Sequence, residues 1–298
     1  MILVTGATGF VGGHLLRRLA ASRTAPLSGL VRSPGRGKLP PGVEARVADL
    51  DDPAALSRAL DGVAIVVHAA AMTANLKEPF AGAYERANRV GTEHLVAAAR
   101  ETGVKRLVLV SGLGTRPAPP GTYMATRWAM EEAVRGSGIP YAILQPSVLF
   151  GDGAEFVAAL ARLARVSPIL PVLGGSGLRF QPLWIEDLVT CLERSISDDS
   201  LLGREVALGG AEYATFRQVL EAICRALPAR RLLLPLPIPV ARLQARLMTA
   251  LLPHPPLTPA ALELFDFDNA TDLDAVERSF HFQPRGFREH LEAHGLAG

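Results

Sequence analysis

An alternation of strand and helix patterns over the first half of the chain constrains its fold more than any other feature. Strands are predicted at residues 2–5, 26–31, 43–48, 65–67, 106–110 and 141–145, and helices at 10–21, 53–60, 84–102 and 123–135. The run Leu107-Val108-Leu109-Val110 is apolar throughout, which indicates a strand covered on both faces. The pattern predicts an α/β fold, with a doubly wound parallel sheet and helices on both faces.

The second half of the chain changes character after Phe150-Gly151, where helix patterns dominate and most of the prolines fall in the loops between them. Two short strand patterns, at residues 180–185 and 205–208, either return to the main sheet or pair with each other. A chain of 298 residues that is 49% hydrophobic can build one large core or two adjoining ones. We therefore expect a first domain over residues 1–151 and a smaller, mostly helical C-terminal lobe over residues 152–298.

The net charge and the two cysteines limit which classes of ligand and partner we expect. The formal net charge is only +2, which indicates no nucleic-acid-binding surface. Cys191 and Cys224 lie far apart inside helix patterns, so they predict neither a disulfide nor a metal site, and reduced thiols are typical of the cytosol. With no charged leader before the first strand and no apolar run of about 18 residues, we expect a cytoplasmic protein without a spanning helix.

A glycine-rich turn, Gly6-Ala7-Thr8-Gly9-Phe10-Val11-Gly12, joins the first strand to the first helix. Its first glycine permits the tight turn, its second lets a pyrophosphate approach the backbone, and its third lets the helix pack closely on the sheet. The N–H groups at the start of the helix then face the phosphates. The turn predicts a Rossmann-type dinucleotide-binding domain, with cofactor contacts from Gly6, Thr8, Gly9, Phe10, Val11 and Gly12.

The residues just past the second strand indicate which dinucleotide is bound. An acidic residue there would bind the ribose 2′-hydroxyl of NAD(H), but the segment reads Leu30-Val31-Arg32-Ser33 and the first acidic residue of the chain is Glu44. Arg32 can form two hydrogen bonds with a 2′-phosphate, with support from Arg36 or Lys38. We expect NADP(H) to be preferred and NAD(H) to remain possible; three solvated loop cations are the alternative interpretation.

Seven short motifs, in this order and spacing, resemble the extended and atypical branches of the short-chain dehydrogenase/reductase superfamily. They are the glycine turn, Ala48-Asp49-Leu50, residues 67–71, Asn88-x-x-Gly91-Thr92, Val110-Ser111-Gly112, Tyr123-x-x-x-Arg127 and residues 145–151. The resemblance implies that Asp49 and Leu50 lie beside the adenine and that Ala69 and Ala70 line the ribose and nicotinamide path. It adds Pro146 to the cofactor contacts, and it makes His68 a wall residue beside the cofactor rather than a base.

The second half is similar to proteins related to the dehydrogenase-like accessory subunit of respiratory complex I. The supporting stretches are residues 174–188, Leu208-Gly209-Gly210-Ala211-Glu212, the proline-rich apolar segment and Pro256-Leu257-Thr258. This resemblance implies a non-catalytic alternative, in which the chain holds its cofactor as part of a larger assembly.

Three residues predict the reacting site. Hydride transfer to a carbonyl builds negative charge on oxygen, so a proton or hydrogen-bond donor must lie there. Tyr123 is the candidate acid, Arg127 lies one turn along the same helix face, and Ser111 follows the fifth strand, where ligands of open α/β sheets bind. The family pattern has lysine where this chain has Arg127, and arginine keeps the charge but does not readily lose a proton.

The apolar segment over residues 232–252 admits two interpretations. It forms core and cover for a substrate cleft, or it forms a surface for a membrane or a partner protein, with Arg242 and Arg246 near lipid headgroups. Either interpretation suits a hydrophobic small-molecule substrate better than a nucleotide-sugar.

Three functions follow in order of preference. The first is an NADP(H)-dependent oxidoreductase acting on a hydroxyl or ketone of a hydrophobic small molecule. The second is an NADP(H)-holding subunit with little turnover, in contact with a membrane or a respiratory complex. The third is a sugar-nucleotide epimerase or dehydratase.

Overall fold

The structure is a computed structural model that describes residues 1–22, 25–33, 35, 37–173, 177–227 and 230–295. Its strands are β1 (Ile2–Thr5), β2 (Leu27–Val31), β3 (Val43–Val47), β4 (Ile65–His68), β5 (Arg106–Val110), β6 (Tyr141–Pro146), β7 (Leu149–Phe150), β8 (Ile169–Leu173), β9 (Arg179–Phe180), β10 (Leu183–Trp184), β11 (Arg204–Leu208), β12 (Ala214–Thr215) and β13 (Leu232–Leu236).

The helices alternate with these strands in the first half and dominate the second half. They are α1 (Phe10–Ser22), α2 (Pro53–Ala59), α3 (Gly91–Glu101), α4 (Tyr123–Arg135), α5 (Glu155–Val166), α6 (Ile185–Ser197), α7 (Phe216–Arg225), α8 (Ile238–Leu251), α9 (Pro259–Glu263), α10 (Ala275–Phe280) and α11 (Phe287–His294). A π-helical turn, Glu85–Val90, leads directly into α3, and a short 3-10 turn covers Asp199–Leu201.

Seven strands form one sheet in the order β3-β2-β1-β4-β5-β6-β11. Every pairing from β3 through β6 is parallel. The strand order reverses direction between β1 and β4, which is where open α/β sheets bind their ligands. The predicted Rossmann-type doubly wound sheet is therefore confirmed.

The chain divides into two compact units. The first comprises Met1–Thr73, Glu78–Gln145 and Val189–Val206, and the second comprises Ala74–Lys77, Pro146–Leu188 and Ala207–Gly298. Of the two late strand patterns, residues 204–208 return to the main sheet as β11, whereas β9 pairs with β12 and β10 pairs with β7. A segment late in the sequence thus supplies helix α6 and an edge strand to the first half of the fold.

Apolar side chains from strands and helices form the core of the first unit. Leu3, Val66, Leu107 and Ile143 extend from four neighbouring strands and pack against helix residues that include Leu95. Two helices of this unit are capped at their starts: the Asp52 side chain accepts from Ala55 N–H at the start of α2, and the Thr122 side chain accepts from Ala125 N–H at the start of α4. Each cap satisfies an N–H group that has no partner inside its helix.

Aromatic rings mark the core of the second unit. Phe180 lies 5.9 Å from Phe216 and 5.4 Å from Phe265 between ring centroids, inside a cluster that draws on α5, α7, α8 and α11. The apolar segment over residues 232–252 becomes strand β13, which pairs with β8, followed by helix α8. Among the described residues, no helix is both long enough and apolar enough to cross a bilayer.

Candidate functional site

The glycine turn is packed too tightly for side chains at its first and third glycines. Gly6 has φ of 65°, in the left-handed region, and a Cβ there would lie 2.8 Å from the carbonyl oxygen of Ala69. A Cβ on Gly12 would overlap the carbonyl oxygen of Gly6. The N–H of Gly9 closes the turn by donating to that same oxygen at 2.8 Å. Glycine at positions 6 and 12 therefore brings the start of α1 against the ends of β1 and β4.

The start of α1 offers its backbone to an anion. Phe10 and Val11 stand in the first turn of the helix, where N–H groups lack partners within the helix, and no acidic residue lies in that turn. Thr8 and Gly9 are exposed beside it. These features fit the pyrophosphate of a dinucleotide, which such helix starts bind through N–H donors and the helix dipole.

The loop after β2 lies against this turn. Gly37 has φ of 81°, and a Cβ there would overlap the Thr8 side chain. Arg32, at the start of the loop, is exposed and forms no ion pair with any other described residue. Arg36, which the sequence offered as support, lies outside the described residues. The arrangement leaves the Arg32 guanidinium available to an anionic ligand.

The segment after β3 is held at the side of the sheet where the adenine is expected. Asp49 is exposed and accepts the Asp51 N–H at 3.2 Å. His94 lies with its Nδ1 2.9 Å from the Leu50 carbonyl oxygen, and a Cβ on Gly91 would come within 3.0 Å of the Leu50 side chain. Leu50 is thereby fixed against the first turn of α3.

His68 is the centre of a buried chain of hydrogen bonds. Its Nδ1 lies 2.7 Å from the Thr5 hydroxyl and its Nε2 lies 2.9 Å from the Thr92 hydroxyl. Thr92 donates its own proton to the Asn88 carbonyl, and the Thr5 hydroxyl accepts the Ala70 N–H at 3.1 Å. Because Thr92 has already donated its one proton, His68 must donate to it through Nε2, and a neutral His68 then accepts the Thr5 proton at Nδ1. These hydrogen bonds fix the backbone of Ala70.

Burial, and to a smaller extent the nearby positive charge of Arg127, lower the pKa of His68 to about 3. A ring that stays neutral at any working pH and is enclosed by two threonines cannot serve as a general base. His68 is thus a buried structural residue at the end of β4, and its expected place beside the cofactor stays a prediction.

The low pKa of His68 predicts a stability that declines with acid. The folded-state pKa, about 3, lies below the ordinary histidine value of 6.5, so the unfolded chain binds the extra proton and unfolding becomes easier as the pH falls from about 6.5 toward 3. At about 1.4 kcal/mol per pKa unit, the loss reaches at most about 5 kcal/mol. Urea unfolding across this pH range should show a shallower decline for His68→Gln than for wild type, while His254→Gln, at an exposed histidine, should follow wild type. Equal declines in all three proteins would contradict this account.

Asn88, in the π-helical turn, holds the backbone after β4 through two hydrogen bonds, a pair called the clasp below. Its side chain accepts the Met72 N–H at 2.7 Å and donates to the Met72 carbonyl at 3.0 Å, and it also donates to the Thr126 hydroxyl at 3.1 Å. The extra residue of the π-helical turn lets the buried Asn88 side chain reach the backbone of Met72, in the loop after β4. Together with the Thr5–Ala70 bond, the clasp fixes the half-buried stretch that contains Ala69 and Ala70.

Arg127 is a buried cation at the carboxyl end of β5. Its guanidinium donates to the Val110 carbonyl at 3.2 Å and to the Met130 sulfur at 3.4 Å, and it forms no ion pair with any described residue. Tyr123, one turn earlier on α4, packs edge-on against Tyr84 with ring centroids 5.3 Å apart. A buried charge without a carboxylate partner is costly, so this position fits the oxygen-rich ribose and phosphate groups of a dinucleotide.

Ser111 points into the protein. Its hydroxyl donates to Glu131, a fully buried carboxylate on α4, and lies 3.3 Å from the Thr115 hydroxyl. Gln145 donates to the same carboxylate at 2.9 Å, and Arg135 donates to its other oxygen at 2.6 Å. Burial raises the pKa of Glu131, against the opposing effect of these bonds. In this arrangement the Ser111 hydroxyl already donates its one proton to Glu131, so it can only accept a further hydrogen bond.

Sequence reasoning missed Glu131 and assigned no role to Asn88. Glu131 is eight residues after Tyr123 on the same helix, and its spacing of four from Arg127 was the available signal. Pro146, at the end of β6, is buried and belongs to the second unit, so its part in cofactor binding stays a prediction. The other predicted cofactor residues, from Gly6 to Arg127, all belong to the first unit.

Two proteins with known names are similar to this chain in sequence. The chain is 34% identical over 192 residues to a ceramide reductase of Caulobacter vibrioides, an alignment that covers 63% of this chain and 58% of that protein. It is 26% identical over 293 residues to NADH dehydrogenase (ubiquinone) 1 alpha subcomplex subunit 9 of Arabidopsis thaliana mitochondria, covering 94% of this chain and 72% of that one. The chain thus spans less than two thirds of the length of the ceramide reductase.

Solved structures share the fold. The NADPH-dependent quinone oxidoreductase of Escherichia coli, solved with NADPH, matches with a TM-score of 0.77 at 21% identity, covering 98% of this chain and 99% of that chain. A family model described as NAD(P)H-binding matches residues 6–162, more than half of the 298 residues. The glycine turn and the buried cation of α4 lie within the matched range. The chain therefore belongs to the NAD(P)H-binding family.

Proposed function

We propose that this protein is an NADPH-dependent oxidoreductase that interconverts a ketone and a hydroxyl on a hydrophobic small molecule. The observation that carries the proposal is the pair Tyr123 and Arg127, one turn apart on α4, with Arg127 buried at the end of β5 and bonded to no carboxylate among the described residues. A phenol one helical turn from a buried cation is suited to supply a proton where an oxyanion develops.

The roles of the two residues follow from their chemistry. Bound NADPH supplies the hydride. Tyr123 donates its phenolic proton to the carbonyl oxygen, and the Arg127 charge stabilises the phenolate that remains. Arginine does not readily release a proton, so the phenolate must recover its proton from water or from a ribose hydroxyl. We therefore expect slow turnover.

Ser111 can donate a hydrogen bond to the substrate oxygen only if its hydroxyl first turns away from Glu131. While its proton is donated to Glu131, it cannot donate to a substrate oxygen. The Ser111 hydroxyl can instead accept a hydrogen bond from a product alcohol. Tyr123 then carries the oxyanion stabilisation alone, which is a second reason to expect a modest rate.

The names of the relatives support a hydrophobic substrate. One relative is a reductase of ceramide and one structural neighbour is a quinone oxidoreductase. The test is NADPH oxidation against a panel of long-chain ketones and quinones, with a nucleotide-sugar as the competing class. Turnover of an apolar ketone or quinone is the expected result, and turnover of the nucleotide-sugar alone would replace this proposal with an epimerase-type activity.

A preference for NADPH over NADH follows from Arg32. A charged hydrogen bond to the 2′-phosphate contributes about 1.5–3 kcal/mol, so one such bond should make NADPH bind roughly ten- to 150-fold more tightly, and a second bond should widen the gap. Calorimetric titration of both dinucleotides with wild type and Arg32→Ala measures the gap, which the variant should lose by weakening NADPH binding. Arg58→Ala, at an exposed arginine of α2, is the matched control. Equal affinities in wild type would remove the argument.

A second function, an NADPH-holding subunit with little turnover, is favoured by the bonds that Ser111 and Arg127 already make inside the protein. It is also the function that alignment with a mitochondrial NADH dehydrogenase subunit suggests, since that alignment covers 94% of this chain. A panel that stays silent while NADPH binding is retained would select this alternative, and contact with a respiratory assembly would belong to it.

A further inference from the structure

Helix α8 buries its small side chains and exposes its large apolar ones, the reverse of a helix in a globular core. Its buried positions are the alanines Ala241 and Ala245, whereas Leu243 is 60% exposed, Leu247 is 55% exposed and Leu251 is 79% exposed. A core helix places its large apolar side chains inward. Here small residues seat the helix on the second unit and the leucines extend outward.

The exposed side chains share one face. At about 100° per residue, Val240, Leu243, Leu247 and Leu251 fall within an arc of about 80° on the helix surface. Arg246 lies at the edge of this arc, about 60° beyond Leu243. The face is therefore a continuous apolar stripe along the whole helix, with a cation at its border, and such stripes mark interaction surfaces.

The charged residues in the stretch of sequence that contains the helix are all positive. Residues 222–262 contain no aspartate or glutamate but contain five arginines: Arg225, Arg230, Arg231, Arg242 and Arg246. Arg242 pairs with Asp266 at 2.7 Å, whereas Arg246 forms no ion pair with any described residue. An apolar stripe bordered by positive charge complements a surface that is negative outside and apolar beneath.

We infer that α8 docks this protein on an anionic lipid surface, with the helix axis in the plane of the membrane. The leucines would enter the boundary between headgroups and acyl chains, and Arg246 would meet lipid phosphates. A second copy of the chain fits less well, because a two-fold interface would bring the same arginines together. With 14 residues, α8 is too short to span.

Vesicle flotation tests the docking with the full chain. Wild type should bind phosphatidylcholine vesicles that contain phosphatidylglycerol and should bind pure phosphatidylcholine vesicles at least about fivefold more weakly. The double variant Leu243→Gln/Leu247→Gln should bind the anionic vesicles about tenfold more weakly or worse, because two large apolar side chains no longer enter the membrane. Arg246→Gln should weaken binding by about fivefold and reduce its dependence on salt.

The matched control is Leu273→Gln, at a leucine of the same unit that is 47% exposed outside α8. It should bind vesicles as wild type does, and all variants should keep the wild-type melting temperature, since the altered side chains face solvent. Failure of wild type to bind either vesicle would overturn the proposal. So would equal binding by the double variant and the control, or a wild-type dimer in sedimentation that the double variant abolishes. None of these results depends on turnover.

Discussion

Gly9→Val is expected to abolish NADPH binding while the fold survives. Gly9 is exposed, its φ lies outside the left-handed region, and a Cβ there has one close neighbour, the Gly6 carbonyl oxygen at 3.1 Å. The backbone therefore tolerates the change with a small shift. The valine methyl groups would instead fill the space in front of the first turn of α1, where the pyrophosphate must approach the N–H donors.

The expected loss of NADPH affinity is at least about a hundredfold, or about 2.7 kcal/mol. Calorimetric titration measures the affinity, and circular dichroism with thermal melting confirms the fold. Gly177→Val is the matched control, since a Cβ there would meet nothing within 4 Å. Gly12→Ala gives the contrast: its Cβ overlaps the Gly6 carbonyl oxygen, so it should also lower stability. NADPH affinity retained in Gly9→Val would contradict the assignment of this turn.

Tyr123→Phe should lower NADPH-dependent turnover by about a hundredfold to ten-thousandfold, the range that positioned acid catalysis contributes. The ring and its edge contact with Tyr84, at 5.3 Å between centroids, remain, so NADPH affinity should stay within about twofold of wild type. Tyr84→Phe removes a hydroxyl from the same aromatic pair and serves as the control, with turnover expected to persist.

Arg127 separates the two proposed functions in the same assay. In a working reductase, Arg127→Lys should keep or raise the rate, because lysine restores a cation that can pass protons. In a cofactor-holding subunit, Tyr123→Phe would change nothing and Arg127→Ala would only weaken NADPH binding. If Tyr123→Phe turns over at the wild-type rate, Tyr123 is not the catalytic acid.

The local sequence was enough to predict the dinucleotide-binding half of the fold. A parallel strand covered on both faces must be apolar along its length, and a strand that turns sharply into a helix needs glycines where backbones touch. Both requirements act within a dozen residues, so the first six strands and the crowding at Gly6 and Gly12 follow directly from the pattern. The choice of an NAD(P)H cofactor rests on these same local constraints.

Only the tertiary structure decided where the site's side chains point. Ser111 turns to Glu131, 20 residues later, so it is not free in the way that its place after a strand suggested. His68 is enclosed by Thr5 and Thr92. The return of residues 204–208 to the sheet edge depended on a pairing across more than 50 residues. The apolar segment over residues 232–252 could be core or surface, because periodicity records that a helix has an apolar face but not which way it turns. Packing set the small alanines of α8 inward and left its leucines to the outside.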